Sequence, residues 1–91
     1  MISMSERVLM KSEDRRSKSE VADFLKDVAL KIEAGSLTFR QGSEELVFNI
    51  PDSMTLELKV EEKTGQTPRI QFEIELEWTK DGQSSNKIEI L

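Results

Sequence analysis

Nine consecutive residues, Ile70-Gln-Phe-Glu-Ile-Glu-Leu-Glu-Trp78, carry an apolar side chain at every even position and a polar one, mostly Glu, at every odd position. Successive side chains of a strand point to opposite sides of a pleated backbone, so this period of two predicts a strand with one buried and one wet face. A chain built around it needs a sheet for the strand to join. It also needs something apolar to cover the inner face.

The 91 residues fit one domain near the lower end of what sustains a core unaided. Cys and His are both absent. Their absence removes the commonest general base, the usual zinc ligands and the thiol nucleophile, so the composition argues against an enzyme. A net charge of -5 argues against a nucleic-acid backbone as the main partner. Nowhere does an apolar run approach the roughly 20 residues that span a bilayer, so no membrane partner is expected. Residues 1–5 lack the basic stretch and apolar core of a signal peptide, and a cytoplasmic address is expected.

Val8-Leu9-Met10 predicts a first strand over about residues 6–13. Ser17 and Glu20 then stand at capping-box spacing, in which the Ser hydroxyl accepts from the third helical N–H and the Glu reaches back to the cap amide. Ser19 is an alternative cap. Val21, Phe24, Leu25, Val28, Ala29 and Ile32 form a single stripe at helical spacing, and Gly35 supplies a left-handed stop.

Three turns follow, and each predicts a register. A Gly42-Ser43 hairpin loop sets Phe39 opposite Leu46 and Leu37 opposite Phe48. A turn at Pro51-Asp52-Ser53 sets Phe48 opposite Leu56 and Leu46 opposite Leu58. A loop over residues 64–68 sets Val60 opposite Phe72, Leu58 opposite Ile74, Leu56 opposite Leu76 and Met54 opposite Trp78. All of these pairs are apolar, whereas a slip of one residue would turn a strand inside out.

The expected fold is therefore α+β: an antiparallel meander with one amphipathic helix across one face, in the order β-α-β-β-β-β. Residues 1–80 make the domain and residues 81–91 a tail that is a candidate edge strand. An Asp81-Gly82 hairpin would set Ile88 and Ile90 on the Glu face, so the tail has a longer loop, pairs elsewhere or is unstructured.

Chemistry is thinly signposted. Glu57, Glu61, Glu73, Glu75 and Glu77 share the polar face, where hard oxygen ligands could hold calcium or magnesium. Strand neighbours two apart are separated by about 6.6 Å, however, and Lys59 opposes Glu73, so a solvated charged face is the expectation. Glu57 falls opposite Glu75, a pairing able to raise one pKa, but an open sheet face offers it no pocket. Lys11, Arg15, Arg16 and Lys18 form a basic patch before the helix, an anion-contact candidate diluted by Glu13, Asp14 and Glu20. Trp78 shares the parity of Ile74 and Leu76, which places it in the core with its indole N–H near the rim. No catalytic residue, cofactor or metal is expected.

The strand at Val8-Leu9-Met10, the helix start at residues 17–21, Ile32-Glu-Ala-Gly35, Gln41-Gly42, Thr55-Leu-Glu-Leu58 and the amphipathic strand ending in Trp78 together resemble the amphi-Trp domain family of small prokaryotic domains. The resemblance covers residues 7–78. It implies a domain boundary and brings no site residue with it. Three function classes follow. First comes a non-catalytic interaction module, self-associating through sheet edges or bound to another protein. An anion or nucleic-acid accessory module using the basic patch comes second, and a carboxylate- or metal-dependent enzyme third.

Overall fold

The computed structural model describes residues 5–80 and Ile90. Its elements are α1 (Lys18–Ala34), β1 (Ser36–Gln41), β2 (Glu44–Asn49), β3 (Thr55–Lys63) and β4 (Arg69–Glu77). One helix and four antiparallel strands make an α+β fold. The chain divides into two units, the first ending at Ile50 and the second beginning at Pro51.

In the first unit the capping box forms as its spacing requires. Ser17 Oγ accepts from the Glu20 N–H, and Glu20 Oε1 accepts from the Ser17 N–H, both at 3.1 Å. Gly35 stops the helix at φ 94°, a conformation that side chains with a Cβ resist. Its N–H donates to both Lys31 O and Ile32 O. The chain then enters β1, on which α1 packs. Around the Gly42 turn β1 pairs with β2, Phe39 facing Leu46 and Leu37 facing Phe48. Phe39 and Phe48 meet edge to face, their ring centres 6.2 Å apart.

In the second unit β3 and β4 form one nine-residue ladder, with Leu56 facing Leu76, Leu58 facing Ile74 and Val60 facing Phe72. Both outer hairpins therefore carry the register that their turns predict. The ladders form two two-stranded sheets, β1–β2 in the first unit and β3–β4 in the second. Ile50 donates its N–H to Gly35 O at 2.9 Å, and Pro51 has no N–H to give.

One expectation is corrected. Residues 6–13 form no strand. Val8-Leu9-Met10 is only three apolar residues long, and the segment is fastened by a side chain instead, Gln41 Nε2 donating to Lys11 O at 3.0 Å. Among the described residues Leu37 is the one buried side chain. A two-stranded ladder has a face too narrow to enclose its own side chains, so the rows of β3 and β4 stay accessible. The expected edge strand in the tail lies outside the described residues apart from Ile90, which is exposed.

Candidate functional site

The β3–β4 hairpin presents two chemically opposite faces, because both strands keep strict alternation and the ladder puts even residues against even ones. On the apolar face Val60, Ile70 and Phe72 are 71%, 70% and 62% exposed, and Leu56, Leu58 and Ile74 are also exposed. Contiguous apolar surface of this kind is uncommon on the exterior of a soluble monomer.

The polar face is ordered by its charges. Lys59 Nζ lies 2.7 Å from Glu61 Oε1, two residues along the same strand. Across the ladder Lys59 faces Glu73 and Glu61 faces Gln71, while Gln71 Nε2 donates to Glu73 Oε1. The hydrogen bond to Glu61, then the charges of Glu61 and Glu73, raise the pKa of Lys59. The same hydrogen bond and the Lys59 charge lower that of Glu61. Sequence reasoning found the Lys59–Glu73 opposition but missed the Lys59–Glu61 bridge. Its signal was present in the opposite charges two apart on one face.

Two rows of this face are mismatched. Glu57 faces Glu75, and near the turn Lys63 faces Arg69. The carboxyl of Glu75 is raised above its ordinary range, first by a hydrogen bond shared with Glu57 and next by the Glu57 charge. This pair is fully open to water, so it holds a proton more readily without gaining the dry pocket that general acid–base catalysis exploits. Among the described residues no group of three or more acidic or other ligating side chains is placed to hold a metal ion.

Trp78 follows the end of β4 and is half-buried. It lines a cleft of about 390 Å³ with Met54, Pro51 and Thr79. Met54 and Trp78 stand one step beyond the Thr55–Glu77 pair that ends the ladder, as their register predicts. The indole is half-buried at the hairpin's open end, where its parity expects a core residue with its N–H near the rim.

The basic patch is not gathered into one cradle. Lys11 and Arg16 line an open cleft of about 780 Å³ with Phe24, Phe39 and Phe48. Arg15 and Arg16 line a second, of about 880 Å³, with Glu13 and Asp14. Lys18 is the first residue of α1 and is exposed. Arg16 Nε donates to Asp14 Oδ2 at 2.9 Å. The positive end of α1 already has its anion in the Glu20 carboxylate, whose pKa is lowered by the hydrogen bonds it shares with Ser17. Among the described residues no helix is long and apolar enough to cross a membrane.

The chain belongs to the Amphi-Trp domain family, whose model matches residues 4–91. The match extends the resemblance drawn over residues 7–78 in both directions and takes in the tail. Neither a curated protein nor a solved structure matches the chain.

Proposed function

We propose that this Amphi-Trp domain is a non-catalytic interaction module that self-associates through the β3–β4 hairpin. One observation carries the reading: seven alternating apolar side chains of β3 and β4, from Leu56 to Leu76, are all exposed on one face of a ladder that has no third strand among the described residues. Strand edges offer a row of unsatisfied N–H and C=O groups, and another strand satisfies them best. The apolar row gives such a contact its side-chain partners, and the charged row sets its register.

The polar groups of the hairpin support recognition better than chemistry. Glu61 pairs with Lys59 and the Glu57–Glu75 pair sits open to water, while Glu77 lines the shallow Trp78 cleft beside Ser53 and Thr55, a chain without His offering no imidazole base to activate those hydroxyls. A cytoplasmic address belongs to the same proposal, since a highly charged, acidic surface suits a crowded aqueous compartment.

Light scattering over a concentration series tests the reading. The mass should rise from one chain toward a multiple as concentration increases. Phe72→Lys, which sets a charge in the middle of the apolar row, should hold the chain as a monomer while far-ultraviolet circular dichroism stays unchanged. A wild-type chain that remains a monomer throughout the series would overturn the proposal.

A further inference from the structure

We infer that the hairpin's partner is a second copy of this chain, added antiparallel along the outer edge of β4, with Phe72 of each protomer on the two-fold axis and Arg69 of one facing Glu75 of the other. The inference rests on the self-association proposed above and names its edge and register.

Register arithmetic admits this arrangement, and the charge rows single it out. When a strand pairs with its own copy about a two-fold axis, the numbers of facing residues have a constant sum. The sum must be even, or the apolar face of one protomer would continue into the charged face of the other. With the axis at Phe72, Phe72 faces Phe72, Ile70 faces Ile74, Gln71 faces Glu73 and Arg69 faces Glu75. No like charges meet. Moving the axis to Glu73 sets that carboxylate against itself, and moving it to Ile74 sets Glu73 against Glu75 twice.

The decisive feature lies in the two mismatched rows. Within one chain Glu57 faces Glu75 and Lys63 faces Arg69, so the ladder holds one row of two negative charges and one of two positive charges. Like charges directly opposite each other destabilise a sheet, and each hairpin carries both defects. The Phe72 axis joins them end to end: Glu57, Glu75, then Arg69 and Lys63 of the second protomer. Two-fold symmetry makes the junction twice. Each defect is the complement of the other, and the hydrogen bond and charge of Glu57 that raise the pKa of Glu75 are the cost of the negative row.

The outer edge of β3 does not do the same. Bringing Glu57 onto Lys63 there requires the axis at Val60, which sets Leu58 against Glu62 and breaks the apolar row. The tail is the competing occupant of the β4 edge. A tight Asp81-Gly82 turn would bring it there with Ile88 and Ile90 on the charged face, the wrong parity for this strand.

Charge exchange tests the register. Glu75→Lys and Arg69→Glu each convert a like-charge row within the chain into an opposite-charge one, and each sets like charges across the proposed axis. Either variant should therefore melt at a higher temperature as a monomer and dimerise about tenfold more weakly or worse. The double variant restores opposite charges across the axis and should recover the wild-type dissociation constant. Singles that dimerise as well as wild type, or a double that stays as weak as the singles, would overturn this register while leaving self-association standing. A wild-type chain monomeric at every concentration would overturn both. The chain has no Cys, so Phe72→Cys supplies an independent reading. Facing residues in an antiparallel pair lie about 4.5–5.5 Å apart at Cα, within disulfide reach. Mild oxidation should link two chains through residue 72 and should not link a Leu58→Cys control. Equal linking in both variants would count against the axis.

Discussion

Glu75 and Glu57 face each other across the β3–β4 ladder, and a protonated Glu75 carboxyl donates a hydrogen bond to Glu57 that lifts its pKa above the ordinary 4.5. A group whose folded value is raised contributes stability that is fully present below the unfolded value and is lost as pH rises through the folded one. The pair should therefore make the hairpin more stable as pH falls from neutrality toward about 4.5. Glu61 acts in the opposite sense, because Lys59 lowers its pKa. Its contribution is present above 4.5 and fades as pH falls through the lowered value. Thermal melts followed by Trp78 fluorescence should pass through a maximum between these two windows. Glu75→Gln should remove the rise on the neutral side and leave the acid-side fall in place.

Glu20 predicts a separate acid response for α1. Its pKa is lowered by the backbone and side chain of Ser17, so the capping box holds above 4.5 and is lost as pH falls through the lowered value. Ser17→Ala removes one of the two reciprocal bonds at any pH and should cost about 1 kcal/mol. Ser17→Gly should cost only a few tenths of that unit, roughly, because Gly itself is tolerated at the cap. Chemical denaturation read by far-ultraviolet circular dichroism separates the two variants. Both variants lack the hydroxyl, so the absence of a loss in either would mean that the hydroxyl bond contributes nothing.

Trp78 should matter less than a core tryptophan and more than an exposed one. Full truncation of a buried Trp typically costs about 3–5 kcal/mol. The ring here is half-buried beside Met54 at the hairpin's open end, so Trp78→Ala should cost about 2 kcal/mol. Denaturant titration checks the figure. A loss as large as that of a fully enclosed ring would mean that the indole has a cover beyond its own hairpin.

Features set by neighbours in the chain were legible before the structure, and features set by distant ones were not. The Ser17 cap, the Gly35 stop and both outer hairpins rest on a few adjacent residues whose turn chemistry admits one geometry. Parity then carried the pairing from Gly42 back to Leu37 and from the 64–68 loop out to Leu56. At Pro51 the same logic reaches its limit. Turn residues there suggest a reversal, but they cannot specify where the Ile50 N–H goes, and it goes to Gly35. Val8-Leu9-Met10 had β-like composition and no partner to make a ladder. Among candidate sites, the Glu57–Glu75 opposition was visible from register alone. The exposure of the apolar rows was not, since alternation says which side chains share a face and not what covers them.

Removing residues 84–91 distinguishes the β4 edge from the tail as the element that joins two chains. Lys87-Ile88-Glu89-Ile90 alternates with strand period, and Ser84-Ser85-Asn86 before it would serve as a hinge. If the tail reaches across and pairs with a second chain, a chain ending at Gln83 should lose its concentration-dependent mass. The charge rows of β4 lead to the opposite expectation, because Arg69, Phe72 and Glu75 all remain in the shortened chain. It should dimerise at least as strongly as the full chain, and more strongly if the tail competes for the same edge. Sedimentation equilibrium of both chains, with Arg69→Glu placed in each, gives a clear reading. The substitution should weaken association equally in the two backgrounds. A shortened chain that is a monomer, whatever stands at residue 69, would assign the contact to the tail.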